Sequence, residues 1–81
     1  MTITVYTKPN CSHCEQTKST LDQNNISYDI VDLTENNEAR NMVLGMGFRS
    51  APVVITDNDS WAGFRIDKLK DLVAGIDKTQ H

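Results

Sequence analysis

The chain has few cysteines, no excess of positive charge and no long apolar run. Its 81 residues include two cysteines, and eight Lys and Arg residues are set against eleven Asp and Glu, for a formal net charge of −3 at pH 7. This acidic balance argues against a nucleic-acid partner. No stretch approaches the roughly 20 consecutive apolar residues of a membrane-spanning helix, so we expect no membrane partner either.

The same shortages indicate where the protein works. The first residues show no basic flank followed by an apolar core, so we expect no secretion signal and a cytoplasmic location. The length suits one small domain over residues 1–81, with 77–81 as a frayed tail. No internal repeat is present, and we expect a monomer.

The chemistry-bearing motif is Cys11-Ser12-His13-Cys14. A small secreted domain uses several disulfides, whereas a single Cys-x-x-Cys in a cytosolic chain indicates redox exchange or metal binding. A closed zinc site needs four ligands, and only His13 and the terminal His81 remain beside the cysteines as candidates. A disulfide between Cys11 and Cys14 would also close too short a loop to stabilise the fold. We therefore predict a redox-active pair and no metal site.

The position of the motif assigns roles to its cysteines. It follows an alternating apolar run and precedes a helical segment, and a helix N-terminus stabilises a thiolate through unpaired N–H groups and the helix dipole. Cys11 is therefore the candidate nucleophile. Residues three apart on a helix are neighbours, so Cys14 is placed to resolve what Cys11 attacks.

Periodicity and turn residues predict an α/β protein, a four-stranded mixed sheet flanked by three helices in the order βαβαββα. The predicted strands cover 2–7, 26–33, 52–56 and 60–62, and the predicted helices cover 12–24, about 32–46 and 65–76.

The second predicted helix has the most detailed signals. Asp32 and Glu35 form a plausible capping box at its start. Gly45 and Gly47 supply its end. Four residues at helical spacing predict its buried face: Ala39, Met42, Val43 and Met46.

Several features together resemble the thioredoxin superfamily, in its glutaredoxin-like branch. They are the strand followed by Cys-x-x-Cys at a helix start, the element order, Pro52 opening the third strand and Gly63 after the fourth. Within that branch, segments 47–54 (GFRSAPVV) and 61–67 (WAGFRID) are similar to those of NrdH-type redoxins. The resemblance implies the thioredoxin/glutaredoxin fold and a dithiol–disulfide oxidoreductase.

The resemblance also implies a partner-binding surface. It implies a cis peptide at Ala51-Pro52, with the backbone groups of Ala51 and Val53 offered to an incoming extended chain. Trp61, Gly63 and Phe64 are then expected near the same end of the sheet. The two aromatics have two interpretations, core residues or an apolar docking patch, and the resemblance favours docking for one of them.

The resemblance further suggests which electron carriers are involved. Lys8 resembles the lysine that precedes the motif in glutaredoxins, but residues 61–64 replace their polar Gly-Gly turn, so part of the glutathione seat is missing. We therefore expect reduction by NADPH-dependent thioredoxin reductase, with the large subunit of class Ib ribonucleotide reductase as acceptor and no cofactor bound to this chain. A glutathione-dependent glutaredoxin is the alternative within redox chemistry, and an iron–sulfur cluster carrier is the non-redox alternative.

His13 departs from the glutamine common at this position in NrdH-type redoxins. It resembles the Cys-Pro-His-Cys motif of the oxidant DsbA, whose nucleophilic thiol is unusually acidic. We hypothesise that His13 lowers the pKa of Cys11. The alternative is an exposed residue with no effect on the thiol.

Overall fold

A computed structural model describes residues 2–79, and its elements follow the predicted order. They are β1 (Thr4–Thr7), α1 (Ser12–Gln23), β2 (Asp29–Asp32), α2 (Asn37–Gly45), β3 (Val53–Ile55), β4 (Ser60–Ala62) and α3 (Ile66–Thr79). The sheet order is β2-β1-β3-β4. β1 and β2 are parallel and joined by α1, whereas β3 is antiparallel to β1 and to β4. The predicted four-stranded mixed sheet with three helices is confirmed.

One face of the sheet holds the main core. Val5, Val54 and Trp61 are opposite one another on three adjacent strands, and all three are buried. Leu21 of α1 and Leu69 of α3 are fully buried in the same cluster. Burying an aliphatic side chain of this size stabilises a fold by about 1.5–3 kcal/mol, so these contacts fix α1 and α3 against the sheet.

The second helix begins later than the capping box predicts. Its N-cap is Asn36, whose side chain accepts a hydrogen bond from the Ala39 N–H at 3.0 Å. Asp32 instead ends β2 and accepts from the N–H and hydroxyl of Thr34, and these hydrogen bonds hold the pKa of Asp32 below its usual range. The prediction failed because Asp32 is still paired with Thr7 in the sheet.

The buried face predicted for α2 is also wrong in part. Val43 is buried, but Met42 and Met46 are 42% and 45% exposed, and Leu44 is exposed as well. Of the residues of α2 (37–45), Val43 alone is buried. α2 therefore packs through a narrow contact and leaves apolar side chains at the surface.

The last helix runs past its predicted end. α3 continues to Thr79, so its last turn extends into the segment 77–81 that is expected to form a frayed tail. Residues 80–81 of the expected tail lie outside the described residues, and the side chain of Ile76 is not described either. The helical spacing of apolar residues predicts that Ile66 and Ile76 lie on the buried face of this helix, but Ile66 is 47% exposed. Within residues 2–79 no helix is long and apolar enough to cross a membrane.

Candidate active site

One end of each of the four strands lies at the same end of the sheet, and the dithiol follows β1 there. Thr7 at the end of β1 is opposite Asp32 of β2, and Leu33 donates a backbone hydrogen bond to the Thr7 carbonyl at 2.8 Å. Tyr6 is paired with Val53 at the start of β3. This register brings the loop that carries the cysteines to the same end of the sheet as the residues before β3.

Cys11 is the N-cap of α1. Its backbone is extended, with φ −116° and ψ 103°, and its sulfur accepts a hydrogen bond from the Cys14 N–H at 3.1 Å. The Cys11 carbonyl accepts the first helical bond, from the Glu15 N–H at 3.2 Å. The sulfur therefore occupies the position where a helix offers an unpaired N–H to an anion. This geometry favours a thiolate.

The two cysteines form a disulfide but differ in exposure. Their Cα atoms are 5.2 Å apart. Cys11 is half-buried, whereas Cys14 is 1% exposed. The buried wall behind Cys14 includes Thr17, whose hydroxyl donates to the His13 carbonyl at 2.9 Å and so leaves no unpaired polar group there. The exposed surface of the pair therefore belongs to Cys11, and Cys14 is shielded from solvent.

His13 lies on the exposed side of the first turn. Within residues 2–79 its imidazole makes no hydrogen bond, so its influence on Cys11 stays a prediction. No group of three or more His, Cys, Asp or Glu side chains in the described part of the chain is arranged to hold a metal ion.

The residues before β3 form the second wall of the site. The Ala51-Pro52 peptide is cis, as the resemblance implied. Val53 has sheet neighbours on both sides, Tyr6 and Ala62, whereas Ala51 lies beyond the last paired residue and is half-buried. Ala51 is therefore better placed than Val53 to pair with an incoming chain, because the sheet occupies both flanks of Val53.

Gly63 joins the end of β4 to this wall. Its N–H donates to the Pro52 carbonyl at 2.7 Å, and its φ is +85°. A Cβ added to this residue would have no neighbouring atom within 4 Å, so the backbone conformation and not space is what favours glycine here.

An exposed ion pair follows Gly63 at the start of α3. The Arg65 guanidinium donates to both carboxylate oxygens of Asp67, at 3.1 and 2.8 Å. This contact lowers the pKa of Asp67 and raises that of Arg65. It links the residue before α3 to the first turn of that helix.

The two aromatics of the expected docking patch have different surroundings. Trp61 is 4% exposed and belongs to the main core, so the docking interpretation is wrong for this side chain. The reason is its strand register, which places Trp61 beside Val54 on the face covered by α1 and α3. Phe64 is half-buried against the same core and keeps an accessible part.

A groove lies beside the loop that carries the dithiol, and no pattern in the sequence predicts it. It has a volume of about 380 Å³, and its lining joins Lys8 and Ala51 to residues from the β2 end, from α2 and from the loop after α2. The apolar part of that lining includes Leu33, Leu44 and Phe48. The lining residues are far apart in the chain. Sequence signals single out Lys8, Val43 and the segment 47–54, but they do not predict that these lie together.

Comparisons with known proteins agree with this geometry. The sequence model of the glutaredoxin family matches residues 3–61. The glutaredoxin-like protein NrdH of Lactococcus lactis subsp. lactis is 39% identical over 70 residues, covering 86% of this chain and 97% of the relative. Its counterpart in Escherichia coli is 35% identical over 72 residues, covering 89% of each chain.

Solved structures give the same result. The NrdH-redoxin of Escherichia coli superposes with a TM-score of 0.87 at 35% identity, covering 89% of this chain and 95% of that one. A glutaredoxin from Archaeoglobus fulgidus, at 22% identity and a TM-score of 0.71, shares the fold. The chain belongs to the glutaredoxin family, within which it is an NrdH-type redoxin, a group of thiol–disulfide oxidoreductases.

Proposed function

We propose that the chain carries electrons from an NADPH-dependent thioredoxin reductase to the large subunit of a class Ib ribonucleotide reductase. The observation that carries the proposal is the unequal exposure of the pair, a reachable Cys11 at the α1 N-cap and a buried Cys14 behind it. The relatives named NrdH support the choice of acceptor. The Escherichia coli NrdH-redoxin is described as having a thioredoxin-like activity profile, which supports the choice of reductase.

The proposed reaction is a pair of thiol–disulfide exchanges. The Cys11 thiolate attacks one sulfur of the partner's disulfide, the partner's S–S bond breaks, and its other sulfur leaves as a thiolate that takes up a proton. Cys14 then loses its proton and attacks the Cys11 sulfur. This second exchange leaves the Cys11–Cys14 disulfide and releases the partner's remaining sulfur as a thiolate, which takes up a proton in place of the one that Cys14 gave up. The partner has then gained two electrons and two protons.

The surroundings of each sulfur support this order of attack. The Cys14 N–H that bonds the Cys11 sulfur stabilises the charge that the first step needs and the leaving thiolate that the reductase later produces. Burial of Cys14 keeps outside disulfides away from the second thiol. Ala51 offers backbone groups beside the pair for the partner's extended segment. No bound cofactor takes part, because NADPH is used by the reductase, and such a dithiol cycle belongs in the reducing cytoplasm.

The identity of the reductant is tested by following NADPH oxidation in two coupled systems with one disulfide acceptor. We expect turnover with thioredoxin reductase, and little with glutathione and glutathione reductase, because residues 61–64 lack the polar Gly-Gly turn. Cys11→Ser serves as the inactive control in both systems. Electron flow through glutathione alone contradicts the proposal and favours a glutaredoxin.

The identity of the acceptor needs a separate assay. Deoxyribonucleotide formation by a class Ib ribonucleotide reductase is measured with NADPH, thioredoxin reductase and this protein as the only dithiol. We expect multiple turnovers that stop when Cys11→Ser replaces the wild-type protein. Deoxyribonucleotide formation that stops after a single turnover with the wild-type protein contradicts the proposed acceptor.

A further inference from the structure

The groove beside the dithiol has charges of one sign, opposite to that of the whole chain. Lys8, Arg40 and Arg49 line it, and no carboxylate does so among the described residues. All three cations are exposed, and neither arginine forms a salt bridge within residues 2–79. The chain as a whole carries a formal net charge of −3. A local cluster of unpaired cations on an acidic protein attracts anions to that place.

The floor between these cations is apolar. Leu33, Val43, Leu44 and Phe48 line it, and the volume of about 380 Å³ accommodates one or two side chains of a peptide. Through Lys8 the groove reaches the loop that leads from β1 to Cys11, and through the half-buried Ala51 it reaches the residue before the cis bond. A chain that pairs with Ala51 therefore lies against the lining of the groove.

We propose that this groove selects protein substrates whose disulfide is flanked by acidic residues. In the bound complex an apolar side chain of the substrate segment lies on the groove floor, and its Asp or Glu side chains contact Arg40 and Arg49. Guanidinium groups suit this role because they bind carboxylates through two parallel hydrogen bonds. The inference rests on the proposed function, in which the dithiol reduces a disulfide held in an extended segment of another protein.

The test compares three synthetic peptides that share one intramolecular disulfide and one apolar residue. The residues that flank the disulfide are Glu in the first peptide, Gln in the second and Lys in the third. The second-order rate constant for reduction by the pre-reduced protein is measured by acid quench and chromatography. We expect the Glu peptide to react about three- to tenfold faster than the Lys peptide at low salt, as two exposed ion pairs allow, and the ratio to shrink as salt screens the charges.

Two variants of equal charge change locate the effect. Arg40→Gln combined with Arg49→Gln removes two positive charges from the groove, and the Glu-to-Lys rate ratio is expected to fall towards one. Lys70→Glu makes the same change in net charge on the exposed face of α3, outside the groove, and is expected to keep most of the ratio. The salt series on the wild-type protein supports or contradicts the inference without any variant.

Each remaining outcome is decisive. Equal rates for the three peptides at low salt overturn the inference and leave the proposed function standing, whereas failure to reduce even the Gln peptide overturns the proposed function itself. An equal fall of the ratio in the Lys70→Glu variant shows that overall charge, not the groove, sets the preference. If the double arginine variant loses rate only towards glutathione disulfide, the groove holds glutathione and the inference is wrong.

Discussion

The unequal exposure of the two cysteines predicts a large difference in their rates of alkylation. The variants Cys14→Ser and Cys11→Ser each leave one thiol in its native surroundings, at the N-cap and in the interior respectively. In both variants the backbone N–H of residue 14 is retained. We expect the thiol of Cys11 to react at least about tenfold faster with iodoacetamide at pH 7 than the thiol of Cys14.

The magnitude follows from the contacts at each sulfur. A hydrogen bond to a charged group contributes about 1.5–3 kcal/mol, and a helix N-terminus about 0.3–1 kcal/mol, so roughly 2–4 kcal/mol favour the Cys11 thiolate. An ordinary thiol is only a few per cent ionised at pH 7, so full ionisation raises its rate by roughly 30-fold at most. The weaker nucleophilicity of a less basic thiolate removes part of that gain. Cys14, 1% exposed, reacts only when the structure opens locally.

The assay is a pH series of alkylation rates, read by mass spectrometry, with both variants repeated in denaturant. In denaturant the two rates should converge, because only the folded structure distinguishes the thiols. Equal rates in the folded state, or a faster Cys14, refute the reasoning about the N-cap and burial.

Substitutions at four further positions test separate parts of the account. His13→Gln is expected to raise the pKa of the Cys11 thiol, measured by ultraviolet thiolate absorbance, and an unchanged titration refutes the hypothesis about His13. Gly63→Ala should lower the free energy of unfolding by about 1–2 kcal/mol, because the φ of Gly63 is +85°. Gly75→Ala within α3 should raise the free energy of unfolding by about 0.5–1 kcal/mol. Urea unfolding of both variants distinguishes conformational strain from a general effect of added methyl groups. Trp61→Ala should lower the free energy of unfolding by about 3–5 kcal/mol in the same assay. Trp61→Phe should lower it far less and leave the rate of disulfide exchange unchanged, because the indole N–H makes no hydrogen bond and the ring is buried. A selective loss of disulfide exchange in Trp61→Phe contradicts the assignment of Trp61 to the core.

The order of elements and the position of the dithiol were predictable because they depend on local signals. The short-range patterns are the alternating residues that end at Thr7, the narrow stripe of Cys14 and Leu21 on a polar helix, and the turn residues between β3 and β4. The resemblance added the cis bond before Pro52, which periodicity alone does not show.

The errors arose where distant parts of the chain decide the outcome. Asp32 and Asn36 both carry an oxygen suited to capping, and the pairing of β2 with β1 leaves only Asn36 available. The burial of Trp61 depends on the register of β4. The groove was missed because its lining comes from four separate segments that only the folded sheet brings together.

Trapping the exchange intermediate tests the central claim most directly. The Cys14→Ser variant is mixed with an excess of a disulfide-bonded protein substrate and analysed by non-reducing mass spectrometry and peptide mapping. The account predicts a stable mixed disulfide through Cys11, which the wild-type protein resolves. Turnover of the substrate by Cys14→Ser at the wild-type rate, or a mixed disulfide that forms on Cys14 in the Cys11→Ser variant instead, contradicts the account.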